Sequence, residues 1–354
     1  MTALHTVLTT PFLGTSAWLW LLFVAIVVGL LVLDLGVLHR HDREIEMRES
    51  LLLYSGYFSV GVLFGLGVWY YLGVQPALEF YTGFLVEQSL SMDNVFVMAM
   101  IFSYFAIPRR YQHRVLFWGI LGVVVLRAIM IGVGAALVQN FAWVLYIFGA
   151  FLLFTGVKMA LSKEDHRPDL ANNPILKFVR RHMRVTEEIH GAHFFVRLAP
   201  PGQSKALRHA TPLFLALVLI ELADLVFAVD SVPAIFAITQ DPFIVYTSNI
   251  FAILGLRSLY FALAALMHRF VYLKYALAMV LIFIGCKIFY HGMVGKVPAL
   301  LSLGVTFGLL LGGVVVSLVK TRGEKVAVVD QSVEQPANSN RTIEQKEEDP
   351  QMRV

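Results

Sequence analysis

Six acidic residues lie within stretches of the chain that are otherwise apolar: Asp34, Glu87, Asp93, Glu221, Asp224 and Asp230. A charged side chain at the centre of a bilayer costs at least about 2.5–3.5 kcal/mol, so six of them facing lipid would cost on the order of 15–20 kcal/mol. They must face protein or water and find partners. Arg127 and Arg257, each midway along an apolar run, are the internal cations that can balance charge. Two guanidiniums cannot neutralise six carboxylates, and four negative charges remain if all are ionised. Structural ion pairing alone leaves that deficit. A bound cation, or protons held by some of the carboxylates, removes it.

The donor types narrow the cation. Carboxylates together with the amides of Asn94 and Asn249 and the hydroxyl of Ser231 suit Mg²⁺, Ca²⁺ or Mn²⁺. The eleven histidines fall in polar segments or at the edges of apolar runs, and Cys286 is the single cysteine. Softer metals such as zinc and copper are therefore disfavoured, and no internal disulfide or dithiol couple can form. Spacing adds geometry. Glu87 with Ser91, and Glu221 with Asp224, share a helix face. Asp93 and Asp230 each lie six residues beyond an acid, about 120° round a straight helix. Pro233 removes one helical hydrogen bond and crowds the carbonyl of Val229. The expectation is a kink that turns Asp230 towards the other acids.

These residues need membrane-spanning elements to hold them. The 354 residues are 58% hydrophobic and 15% charged, with a mean hydropathy of +0.72, which excludes an ordinary soluble enzyme and a disordered chain. A span takes about 20 apolar residues. Nine runs meet that reading: 17–38, 51–73, 81–107, 115–138, 141–161, 211–238, 244–267, 273–290 and 297–319. The first is too long for a signal-peptide core and follows no Lys or Arg, so it reads as a span. Alternate connections carry Arg40, Arg43 and Arg48, then Arg109, Arg110 and Arg114, then nine basic residues from Lys163 to Arg208, then Arg269 and Lys274. The opposite connections carry only Lys296. The positive-inside rule puts the N-terminus outside and the C-terminus in the cytoplasm. The same asymmetry accounts for the basic isoelectric point without nucleic acid. The fold class expected is an all-α polytopic membrane protein with about nine transmembrane helices.

The acids also mark an internal repeat. Glu87 to Val95 and Asp224 to Val232 both read acid, five residues, Asp, small polar residue, Val. Leu126-Arg127 matches Leu256-Arg257, and Gly156-Val-Lys158 matches Gly285-Cys-Lys287, in the same order. Spans three to five (about 81–161) and six to eight (about 211–290) read as two copies. Each has an odd number of spans, so they enter the membrane from opposite sides, as in many secondary transporters. Residues 1–319 form the transmembrane domain. The 162–210 segment is polar, and its His190 and His193 read as solvated loop residues rather than metal ligands. The 320–354 tail, rich in Glu, Gln, Asn and Ser, reads as disordered. Its Asn340-Arg-Thr sequon has no role on the cytoplasmic side.

The strings Glu87-Gln-Ser-Leu-Ser-Met-Asp-Asn-Val-Phe, Glu221-Leu-Ala-Asp-Leu-Val-Phe-Ala-Val-Asp-Ser-Val-Pro-Ala and Ser248-Asn-Ile-Phe-Ala-Ile-Leu-Gly-Leu-Arg-Ser-Leu-Tyr-Phe resemble the TerC family of bacterial inner-membrane proteins, closest to its Alx branch. Leu33-Asp-Leu-Gly-Val-Leu-His-Arg40 fits the family's first span. The resemblance implies a manganese exporter related to LysE-type transporters, with a link to tellurium resistance. It implies a cation site of Glu87, Asp93, Glu221, Asp224 and Asp230, with Asn94, Ser231 and Asn249 as helpers; Asp34, outside the repeat, is a further candidate helper. Mn²⁺ would be the cargo, with no permanently bound cofactor; the preference over Mg²⁺ and Ca²⁺ comes from the resemblance alone. The rival is a membrane-bound stress or redox-modulating protein that acts through partners. Catalysis is not expected: neither a Gly-x-Gly-Asp nor a His-Glu-x-x-His motif occurs, and no Walker sequence supplies ATP hydrolysis.

Overall fold

A computed structural model describes residues 11–33, 47–141, 143–161, 174–198, 207–263, 273–295 and 297–320. The chain divides into units of residues 1–322 and 323–354, and every described residue belongs to the first. Strands β1 (Pro11–Phe12) and β2 (Thr15–Ser16) make a small antiparallel hairpin ahead of helix α1 (Ala17–Leu33). Then come α2 (Met47–Leu72), α3 (Val74–Tyr104), α4 (Arg109–Asn140), α5 (Val144–Leu161) and the short α6 (Pro174–His182). An antiparallel hairpin of β3 (Phe195–Leu198) and β4 (Leu207–Ala210) leads into α7 (Pro212–Ile238). Helices α8 (Pro242–Leu254), α9 (Leu256–Leu263), α10 (Leu273–Met293) and α11 (Ala299–Lys320) complete the described chain.

Six helices, α2, α4, α5, α7, α10 and α11, are long and apolar enough to cross a membrane, and α1 and α8 are shorter apolar helices. The third run is the 31-residue α3, which carries Glu79, Glu87 and Asp93. The seventh does not form one helix: it divides at Gly255 into α8 and α9. Asp34 and the tail beyond Lys320 lie outside the described residues.

Helix ends follow from local chemistry. Asp241 caps α8 by accepting the backbone N–H of Phe243 at 2.9 Å, with Pro242 in the first turn, where its missing N–H costs nothing. Pro212 likewise stands in the first turn of α7, but Thr211 ahead of it makes no side-chain cap, its hydroxyl donating instead to the carbonyl of His193 at 2.7 Å. The helices bury polar groups and show lipid-type side chains outward, the reverse of a soluble bundle. On α4, Val125, Ile129 and Val133 are exposed whereas Arg127, Ile131 and Gly134 are buried.

Helix α5 packs along α10, α4 along α7, and α3 against both α7 and α8, with α11 lying on α10 and α3. The α5–α10 crossing is close because glycines face backbone on both sides. A Cβ on Gly156 would lie 2.9 Å from the Ala278 carbonyl oxygen, and one on Gly285 would lie 2.9 Å from that of Gly149. Small residues at such crossings let membrane helices approach to backbone contact.

Two sequence expectations are corrected. Helix α7 runs without interruption through Pro233, so no unwound turn reorients Asp230. A proline this deep in a membrane helix is tolerated when neighbouring groups satisfy the freed carbonyl. The 162–210 segment is not merely a polar loop. Its described part folds into α6 and the β3–β4 hairpin, and the chain at Arg184–Thr186 bonds to Ala210 beside that hairpin.

Candidate cation site

Arg127 organises the interior. It is only 1% exposed, and α4 delivers its guanidinium to a point met by α3, α7 and α8. Nη1 donates to Glu87 Oε1 at 2.5 Å, Ser231 Oγ at 2.7 Å and Asn249 Oδ1 at 2.9 Å. Nη2 and Nε reach the Asp224 carboxylate at 3.3 and 3.4 Å. The grip on Glu87 is short and that on Asp224 is long. Asp224 also accepts from Asn94 Nδ2 at 3.1 Å. The fork of five N–H donors suits two carboxylates at once, which a lysine could not match. Tyr246 of α8 holds the neighbouring turn, donating to the Ala128 carbonyl at 2.8 Å.

Glu221 lies one helical turn before Asp224, on the same face of α7. Its carboxylate packs against Gly122 of α4, at a spot that any Cβ would fill. Glu221 Oε2 is buried with no hydrogen-bond partner, and so are Asn94 Oδ1, Ser91 Oγ and Asn249 Nδ2. An ionised oxygen without a donor is expensive in a low-dielectric interior. The three carboxylates Glu87, Glu221 and Asp224 face one guanidinium, leaving two negative charges if all are ionised.

The expected ligands therefore separate. Glu87, Asp224, Asn94, Ser231, Asn249 and Arg127 come together in one network, with Glu221 and Ser91 beside it. Asp230 does not join them. It is half-buried and faces Thr155 and Lys158 of α5. The physical reason is the six-residue spacing on an unbroken helix, which puts Asp230 on another face from Asp224. The backbones of Asp93 and Arg257 are helical in α3 and α9, but their side chains, like Asp34, lie outside what is described. His190 and His193 sit in a turn where His193 Nδ1 is 3.3 Å from the His190 carbonyl oxygen. Among the described residues, no three His, Cys, Asp or Glu side chains stand together ready to ligate a metal. A cation here would need neutral oxygens beside Asp224 and Glu221. Gly122, Tyr246 and Thr155 were not evident from the sequence, since nothing marks a lone Gly, Tyr or Thr in an apolar run as the neighbour of a distant acid.

Residues 72–325 match the integral membrane protein TerC family. The chain is 48% identical over 307 residues to a protein of Escherichia coli strain K12 named as a candidate membrane-bound redox modulator, Alx, covering 83% of this chain and 92% of that one. It is 48% identical over 316 residues to an uncharacterized membrane protein of Myxococcus xanthus, covering 89% and 96%. An uncharacterized membrane protein of Rickettsia bellii is 48% identical over 302 residues, covering 85% and 97%. No solved structure matches.

Proposed function

Since the chain belongs to the TerC family of integral membrane proteins, we propose that it carries a divalent metal cation, Mn²⁺ foremost, out across the inner membrane through the buried carboxylates. The observation that carries the reading is the partnerless Glu221 Oε2 beside Asp224, in a network two positive charges short of neutral. One divalent cation supplies that charge. Asp224, Glu221, Asn94 Oδ1 and Ser91 Oγ are all oxygens, the donor set of a hard cation. Manganese over Mg²⁺ and Ca²⁺ follows from the family resemblance. Glu87, gripped by Arg127, serves as the fixed counter-charge, and Asp93 as a further ligand follows from the family resemblance alone.

The transport reading has support from architecture. The nine apolar runs of the sequence and the basic bias of alternate connections fit nine spans with the N-terminus outside. Gly156 contacts Ala278 and Ile282 while Gly285 contacts Gly149 and Leu153, a reciprocal exchange that supports two copies of a three-helix unit meeting about a pseudo-two-fold axis. Moving a divalent ion out against an inside-negative potential costs about 4.6 kcal/mol per 100 mV, so protons entering on the same carboxylates are the proposed drive. A dithiol redox role has no chemical basis within one chain, because Cys286 is its single cysteine.

Equilibrium Mn²⁺ binding to the purified protein in nanodiscs tests the site. Saturable binding by wild type, strongly weakened in Asp224→Asn with the fold retained, supports it. No binding by folded wild type, or equal binding by Asp224→Asn, overturns it.

A further inference from the structure

The polar segment ahead of α7 builds a concave basic surface that the transport reading does not use. Helix α6 carries Arg180 and Arg181, Arg184 follows it, and His209 stands on β4. All four line a cavity of about 990 Å³ whose other wall is apolar, with Tyr104 at the end of α3 and Leu215 in the first turn of α7. Glu187 is the acidic residue on its lining. Among the described residues, no carboxylate pairs with Arg180, Arg181 or Arg184. The surface is folded rather than a loose charge run. Leu176 is buried, Ala210 bonds to Arg184 and Thr186, and the Arg208 guanidinium is stacked over Phe195 at 4.0 Å. Phe178 on α6 is 61% exposed next to these arginines, which is the pattern of a helix seated in a lipid interface.

We infer that this cavity binds the headgroup of an anionic phospholipid, with the arginines on its phosphate and the glycerol end of its chains against Tyr104 and Leu215. A membrane protein presents such a groove to lipid already at hand, and basic pockets at the ends of membrane helices recognise anionic headgroups. Setting topology requires basic residues in the segment, but requires neither a cavity nor an apolar wall. Arginine suits phosphate because its planar fork can donate two hydrogen bonds at once.

The test uses the full-length protein, delipidated in detergent and examined by native mass spectrometry with phosphatidylglycerol, phosphatidylcholine or inorganic phosphate. Wild type should retain phosphatidylglycerol well above phosphatidylcholine. Removing each arginine should weaken retention about fivefold, so that Arg180→Gln/Arg181→Gln/Arg184→Gln loses the preference. If that triple variant misfolds, the same arginines changed to Lys keep the charge and should retain the preference at reduced strength. Equal retention of the two lipids by wild type overturns the inference. So does displacement of the lipid by inorganic phosphate, which would mark a free-anion site.

Discussion

At the scale of single residues, the interior turns on how Arg127 divides its donors. It holds Glu87 tightly and Asp224 loosely, so Asp224 is the carboxylate a metal can recruit without unpairing Glu87. Arg127→Met would leave both acids buried and unpaired, and should destabilise the protein by about 3–5 kcal/mol. Thermal unfolding in detergent reads that loss, and Arg127→Lys should recover part of it by restoring charge without the fork. Glu221 predicts the opposite balance. Glu221→Gln removes a buried charge with a partnerless oxygen, so stability should hold or rise while Mn²⁺ affinity falls at least roughly tenfold. Parallel unfolding and binding titrations on the one variant check both halves. The acids themselves were legible in the sequence, because a carboxylate in an apolar run demands a partner. Which acid took which partner was not, since that depends on helix rotation and on contacts as small as Gly122 against Glu221.

At the scale of elements, close approach and capping decide the arrangement. Gly156→Val would push side-chain atoms into the Ala278 carbonyl and Ile282 across the α5–α10 crossing, and should cost about 1–3 kcal/mol. A lowered unfolding midpoint checks it, whereas a change at exposed Gly308 of α11, where a Cβ meets nothing, should have far less effect. Asp241→Ala removes the α8 cap and should cost about 1 kcal/mol. Burial raises the Asp241 carboxyl above its ordinary value although the cap bonds lower it, so the net linked stability is greatest at acid pH and is lost as pH rises through the raised folded value. Asp241→Asn keeps the cap and should abolish that slope in a pH series of unfolding measurements. The six helices long and apolar enough to span were readable from apolar length. The continuity of α7 through Pro233 and the break at Gly255 were not, because both depend on what neighbouring helices satisfy. Helix α6 was hidden by its nine residues and four basic side chains, and β3 and β4 by having only four residues each.

At the scale of the whole molecule, the long helices assemble so that lipid meets aliphatic faces while, among the described residues, a charged cluster sits where α3, α4, α7 and α8 converge. The bundle isolates a charge deficit that a divalent ion can fill, and the proposed pseudo-symmetry gives two related ways to open towards it. Mn²⁺ flux into or out of proteoliposomes, with wild type and Glu221→Gln compared in the same lipid, tests this most directly. The account predicts carrier-type flux by wild type and background flux by the equally folded Glu221→Gln. Absent flux from folded wild type, or undiminished flux through Glu221→Gln, would contradict it.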